Sequence, residues 1–388
     1  MIGEAQVREH VERGRRVVVV RPGDLVTPQA RELIEALGLE VVDQPPPVPE
    51  RPATDPNLAV QRTLYRRSPR WMAPLPRRGP TPMTLGRIAI VGAGNVGATT
   101  AHLAASNNVA AEIVLTDLVP GLAAGVALDI EHAAGISGST TRAEGSTDAA
   151  AVAGADVVVI TAGRPRSPGM DRSALAAVNE RVVRGVAETV REHAPDAVII
   201  VVTNPLDEMT MAAADASGFP RQRVLGMAGT LDSSRFRASL AKAAGVTPRD
   251  VEAFTLGSHG NEMVPIVSHA RIKGRPLDRV LSADMIAGCV RDTVTGGAQV
   301  VALRRTGSAY VAPAHAIVEV LDAMRNARTG AIPVSVLLEG EYGITGTVVG
   351  VPAVLGPRGL IEVVELPLSA DEATALAAAA RAVSARRV

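Results

Sequence analysis

Aromatic side chains are scarce, at 2% of 388 residues. A core must therefore be assembled from Ala, Val, Leu and Ile, and the 47% hydrophobic content supplies them. Cysteine is scarcer still. Cys289 stands alone, which excludes an internal disulfide and a multi-cysteine zinc site and fits a reducing, cytoplasmic setting. Neither sign of charge is in excess, with 40 basic and 40 acidic residues. No global electrostatic pull toward nucleic acid or an anionic membrane follows. Lysine is nearly absent: Lys242 and Lys273 are the two, so basic charge is almost wholly arginine. No apolar run approaches the ~20 residues that span a bilayer, and the longest, such as Ala197–Val202, read as buried strands. Met1–His10 is charged and lacks the apolar stretch of a secretory signal.

What is present falls into four stretches. Residues 1–44 read as a small helix–strand–helix–strand unit. Its strands are Arg15–Val20 and Leu39–Val42; its second helix opens on Thr27-Pro28 and ends near Gly38. Residues 45–83 are rich in proline and arginine and read as a semi-rigid linker, with Leu64-Tyr65 and Trp71-Met72 available for docking. Residues 84–230 alternate strand and helix: strands at Arg87–Val91, Glu112–Thr116, Asp156–Thr161 and Ala197–Thr203, with a helix over Ser173–His193. That rhythm predicts an α/β fold with a doubly wound parallel sheet. Residues 231–388 change rhythm and predict a mixed α+β domain. Helices are expected at Ser233–Ala244, Ala283–Arg305 and Ala370–Arg387. Strands are expected at Val251–Leu256, Pro265–Ile272, Pro333–Leu338, Gly346–Val354 and Leu360–Glu365.

The turn after the first main strand reads Gly92-Ala93-Gly94-Asn95-Val96-Gly97. A G-x-G-x-x-G string alone is weak, but here an apolar strand precedes it and a helix follows. The glycines permit a tight turn and close backbone approach, and the helix start offers free N–H groups to a pyrophosphate. Asp117 ends the next strand, where its carboxylate can accept ribose hydroxyls and repel a 2′-phosphate. The expected cofactor is therefore NAD rather than NADP.

Polar chemistry gathers at further strand ends, where open α/β sheets bind ligands. The segment Thr161–Arg172 carries Arg164, Arg166 and Arg172 among Pro and Gly, suiting either a solvated basic loop or a lid that brings guanidinium groups onto a carboxylate. Asn204, before Pro205, taken alone reads as a turn residue. His259 sits in Gly257-Ser258-His259-Gly260-Asn261, and Asp232 could hold its imidazole and stabilise its charged form, although a lone His and Asp this far apart are more often incidental and only their company favours the pairing. Arg235, three residues after Asp232 on a helix, shares its face.

From Leu85 onward the chain resembles the lactate/malate dehydrogenase family, in its lactate-dehydrogenase-like malate dehydrogenase branch. The strings that carry the resemblance are VGAGNVGATTA, ITAGRPRSPGM, VTNPLDEMT, LDSSRFR, LGSHGNEMVP and RTGSAYVAPA, in family order. The resemblance implies His259 as proton acceptor and donor, Asp232 as its partner and Arg235 as a fork on the substrate carboxylate. It implies that Arg172 polarises the reacting carbonyl from a closing loop and that Asn204 contacts substrate and cofactor. Asn179 and Val202 would line the nicotinamide site. Arg166 occupies the position where lactate dehydrogenases usually carry Gln. An arginine there can pair with the second carboxylate of a dicarboxylate such as oxaloacetate, whereas the methyl of pyruvate would leave a buried charge unpaired. Malate is thus favoured over lactate as substrate. Arginine and histidine supply the electrophilic role, so no metal is expected. The resemblance also implies a homodimer or homotetramer.

Two departures stand out. Asn261 follows His-Gly where the family commonly has Asp, and the first 83 residues have no counterpart in ordinary members. Through the string RRVVVVRPGDLVTPQARELIEALGLEVV, that leading unit faintly resembles short segments of proteins encoded with bacterial microcompartments, which would make it an interaction or packaging module. Three rival readings are a lactate or other 2-hydroxy acid dehydrogenase, an NAD- and metal-dependent glycosidase, and a non-catalytic scaffold or targeting protein. The second needs a Cys/His metal site, and Cys289 lies in an expected helix far from the motifs. Retention of every motif argues against the third.

Overall fold

The structure of the chain, a computed structural model, describes residues 2–12, 17–21, 23–43, 82–164, 172–305, 307–328 and 330–386; the side chains of residues 10, 12 and 172–174 lie outside that description. The expected linker up to residue 81, with Tyr65 and Trp71, and the loop position of Arg166 also lie outside it. Contacts divide the chain into two units, Met1–Thr63 and Leu64–Val388.

The first unit contains α1 (Glu4–Glu12), β1 (Val17–Val19), α2 (Pro28–Ala36) and β2 (Glu40–Val42), with β1 and β2 paired in parallel. Thr27 caps α2 by accepting from the Ala30 N–H at 3.3 Å, and Pro28 fills the first turn, where no amide hydrogen is needed. Gly38 takes φ +60° just past the helix end. Val7, Val18, Ala30 and Ile34 form its small core.

The second unit is built on one sheet of eleven strands. Six are parallel: β3 (Leu85–Val91), β4 (Ala110–Thr116), β5 (Arg142–Ser146), β6 (Val157–Ile160), β7 (Val198–Val201) and β8 (Val224–Gly226). Their spatial order is β5-β4-β3-β6-β7-β8, the doubly wound dinucleotide-binding order, with its switch point between β3 and β6. Successive residues enter opposite cores. Ile88, Ile90, Val157 and Val159 pack on one face, Ala89, Val158 and Ile160 on the other. Burial on both faces explains why these strands read as unbroken apolar runs. Helices α3 (Asn95–Ser106) and α4 (Leu122–Ser137) contribute to the first core and α5 (Arg172–His193) and α6 (Leu206–Ser217) to the second.

The later strands, from the stretch read as a mixed α+β domain, mostly join the parallel strands. They extend the same sheet in antiparallel fashion. β14 (Ile332–Glu339) pairs with β8 through Ser335 and Gly226, and β15 (Thr345–Gly356) pairs with β14. β16 (Gly359–Val363) and β10 (Thr255–Gly257) both pair with β15, and β11 (Met263–Pro265) closes that edge. The expected strand Val251–Leu256 is split: β9 (Val251–Glu252) belongs to a separate three-stranded sheet with β12 (Arg271–Ile272) and β13 (Arg275–Pro276). Pro265–Ile272 is likewise not one strand. After Pro265 the chain turns, and Glu372 draws Ser268 out of any ladder by accepting from its N–H at 3.0 Å and its hydroxyl at 2.6 Å.

The remaining helices are α7 (Gly229–Ala244), α8 (Ala283–Arg304), α9 (Val311–Met324) and α10 (Ala370–Ala385). Among the described residues no helix is long and apolar enough to cross a membrane.

Candidate active site

The glycine turn joins β3 to α3. Gly92 takes φ +103°, and a Cβ there would meet Thr161 Oγ1 at 2.7 Å and the Ala162 nitrogen at 2.8 Å. A Cβ on Gly97 would collide with the Gly92 carbonyl oxygen. Both glycines are therefore demanded by the turn and by the approach of α3 to it. Gly94 differs: its φ is −69° and nothing lies within 4 Å of a Cβ built there. The open side of the turn is at Gly94, and the start of α3 receives no side-chain cap, so its first N–H groups face outward without a side-chain acceptor. Asp117, after β4, accepts from the Ala93 N–H at 2.8 Å through Oδ2 and the Val119 N–H at 2.9 Å through Oδ1. It fastens the turn to the next strand, and each oxygen keeps a lone pair for a hydroxyl. An open glycine turn, an uncapped helix start and an acid at the neighbouring strand end fit a dinucleotide such as NAD.

Across the sheet, Asn179 on α5 ties two strand-end loops together. Its Oδ1 accepts from the Arg164 N–H at 2.7 Å, and its Nδ2 donates to the Arg164 carbonyl at 3.1 Å and the Asn204 carbonyl at 2.7 Å. Asn179 is buried at 1% exposure, and these bonds satisfy its amide. Val202 and Asn204 follow β7, and the Asn204–Pro205 peptide is cis.

The imidazole is held by two elements. Asp232 and Arg235 lie one turn apart on α7, and His259 stands in the turn between β10 and β11. His259 Nδ1 donates to Asp232 Oδ2 at 2.8 Å, leaving Nε2 as the nitrogen that can exchange a proton. Arg235 Nη1 donates to Asp232 Oδ1 at 2.9 Å. Asp232, with its side chain 3% exposed, thus serves a cation and the imidazole at once. Burial, the largest influence, pulls the His259 pKa down. The charge and hydrogen bond of Asp232 and the charge of Asp207 outweigh it, with Arg235 opposing, and the pKa is raised above its ordinary 6.5.

Val96, Asn179, Val202, Asn204 and His259 line one open cleft of about 490 Å³. Val96 of the glycine turn, the two strand-end loops and the histidine thus meet in one cleft; Asp232 bonds the histidine and Arg235 bonds Asp232, while Gly92, Gly94, Asn95, Gly97, Asp117, Asp232 and Arg235 do not line it. Arg172 opens α5, its side chain outside the described residues. Asn261 lies in the histidine turn, and Asp232 remains the imidazole partner regardless.

Three contributors escaped sequence reasoning. Asp207, 1% exposed on α6, accepts from the His259 N–H at 2.8 Å and from the Ser335 hydroxyl at 2.9 Å. Burial pushes its carboxyl up against these bonds. Gly296 and Gly297 on α8 lie against Arg235, where added Cβ atoms would come within 3.4 Å and 3.5 Å of its side chain. A glycine pair inside a helix is the signal that could have found them, since such glycines weaken a helix without a packing reason.

Sheet order and glycine turn together define a Rossmann-type, dinucleotide-binding fold. Residues 86–226 match the model of the lactate/malate dehydrogenase NAD binding domain, and residues 229–385 that of the lactate/malate dehydrogenase alpha/beta C-terminal domain. The chain belongs to the lactate/malate dehydrogenase family. Relatives include a malate dehydrogenase of Thioalkalivibrio sulfidiphilus, 46% identical over 286 residues, covering 74% of this chain and 93% of the relative. One from Symbiobacterium thermophilum is 47% identical over 299 residues, covering 76% and 94%. Among solved structures, the malate dehydrogenase of Cryptosporidium parvum superposes with TM-score 0.76 at 36% identity, covering 79% of this chain and 98% of that one. The lactate dehydrogenase of the same organism, complexed with lactic acid and nicotinamide adenine dinucleotide, gives 0.75 at 36% identity, covering the same shares. Backbone likeness therefore does not separate the two substrates.

Proposed function

We propose that the chain is an NAD-dependent malate dehydrogenase that reversibly oxidises (S)-malate to oxaloacetate. The observation that carries this reading is the hydrogen-bonded His259–Asp232–Arg235 set, with its imidazole in the same cleft as Val96 of the glycine turn. Gly92, Gly94, Asn95, Val96, Gly97 and Asp117 would hold the dinucleotide, with Asn179, Val202 and Asn204 beside its nicotinamide. When bound, NAD would supply the acceptor for the hydride of the substrate carbon. His259 takes the hydroxyl proton at Nε2 during oxidation and returns it during reduction, and Asp232 stabilises the imidazolium. Arg235 grips the carboxylate next to the reacting carbon, Arg166 the distal one, and Arg172 polarises the carbonyl.

In the same reading, residues 84–230 form the NAD-binding domain and 231–388 the catalytic domain. The enzyme works in the cytoplasm as a homodimer or homotetramer, supported by exposed apolar side chains at Leu118, Leu128 and Ile136. Residues 1–82 would serve an interaction with a protein partner, including a microcompartment component. The test of the mechanism is NADH oxidation with oxaloacetate by the intact chain and by His259→Asn. The variant should lose activity on the order of 10²-fold or more while retaining NADH affinity. Unchanged turnover would contradict the role of His259.

A further inference from the structure

The turn that carries His259 is gripped from outside by a single guanidinium. Arg386 follows α10, and its planar head reaches three acceptors. Nε donates to Glu208 Oε1 at 2.7 Å, Nη1 to Glu262 Oε1 at 2.9 Å, and Nη2 to the Ser258 hydroxyl at 3.2 Å. Ser258 precedes His259 and Glu262 follows it by three residues, so both shoulders of the turn are held. Glu208 neighbours Asp207 on α6, and Asp207 accepts the His259 N–H itself. One helix turn therefore meets the histidine turn twice, directly through Asp207 and through Arg386 on Glu208.

The charges require this cation. Glu208 has a side chain only 7% exposed. Glu262 Oε2 is buried with no hydrogen-bond partner among the described residues, so Glu262 depends on Arg386 for its pairing. Removing Arg386 would leave the buried Glu208 without its cation, and a buried charge without its partner forces movement or protonation. Burial works against the charge of Arg386, and the two glutamates overcome it. A lysine could keep the charge but could not reach three separated acceptors in one plane.

We infer that Arg386 is a positioning residue for His259: it fixes the β10–β11 turn so that the imidazole keeps its place in the cleft. The inference rests on the reading of His259 as the acid–base group, but the clamp can be observed without activity. The experiment uses the full chain and its Arg386→Lys and Arg386→Met variants, with His259→Asn alongside. Amide hydrogen exchange over residues 257–263 should quicken in both Arg386 variants and stay slow in His259→Asn. Turnover of oxaloacetate with NADH should fall on the order of tenfold to a hundredfold in both, as expected for a misplaced catalytic group. NADH affinity should hold, the melting temperature should fall by a few degrees in Arg386→Met and less in Arg386→Lys, and the isotope effect with 4-deuterated NADH should rise. Unchanged exchange at the turn, or rescue by lysine, would overturn the inference. So would a uniform loss of NADH binding, turnover and thermal stability, which is the mark of general unfolding. If His259→Asn retains turnover, the acid–base reading fails, and the exchange data still decide whether Arg386 holds the turn.

Discussion

Asp232 is the residue on which the acid–base chemistry turns, because it binds both His259 and Arg235. Its effect has a definite sign. The His259 pKa is raised above 6.5, chiefly by Asp232 working against burial. Oxaloacetate reduction needs the imidazolium, so its rate should fall as pH rises through that pKa, while malate oxidation should rise over the same range. In Asp232→Asn the pKa drops, the reduction profile moves to lower pH, and turnover falls on the order of 10²-fold or more. The pair also contributes to stability, fully below pH 6.5 and decreasingly as pH climbs through the folded pKa. pH-rate profiles in both directions check this; an unmoved profile would show that Asp232 does not set the pKa. At this scale much was legible. Gly-His-type turn chemistry and the Asp–Arg spacing of one helical turn pointed to residues that meet in space. Asp207 and Arg386 were not legible, because their roles depend on partners more than 50 and 120 residues away, as the bonds to His259 and Glu262 show.

Among the elements, the β3–α3 turn makes the sharpest demand on sequence. A methyl group on Gly97 would overlap the Gly92 carbonyl oxygen. Gly97→Ala should therefore displace the turn, abolish NADH binding and lower the melting temperature, which NADH fluorescence titration and thermal unfolding can read together. Retained affinity would mean that α3 can move aside. The parallel strands were readable because burial on both faces leaves a plain apolar run. Less was readable where an element answers to distant partners. Residues 251–256 divide between two sheets, and Ser268 leaves the ladder for Glu372 on α10. β5 is charged and glycine-containing, and β8 is three residues long, so neither carries a strand pattern of its own. α9 opens on a stretch with Pro313 in its first turn, where proline is tolerated but obscures the helical period.

For the whole molecule, the two units carry separate cores, and every described residue of the proposed site belongs to Leu64–Val388. A chain beginning at Met83 should fold and reduce oxaloacetate with the kcat and KM of the full chain. A large loss would assign residues 1–82 a part in catalysis rather than in contact with other proteins.

The substrate itself is the central claim, since likeness of backbone to malate and lactate dehydrogenases is the same. The most direct measurement is the ratio of kcat/KM for oxaloacetate to that for pyruvate, with NADH, in the intact chain and in Arg166→Gln. The account predicts a preference for oxaloacetate on the order of 10²-fold or more, from the charge pairing that a second carboxylate offers an arginine and a methyl group does not, and a shift toward pyruvate in the variant. Equal or better use of pyruvate by the intact chain, or a ratio that Arg166→Gln leaves unchanged, would contradict it.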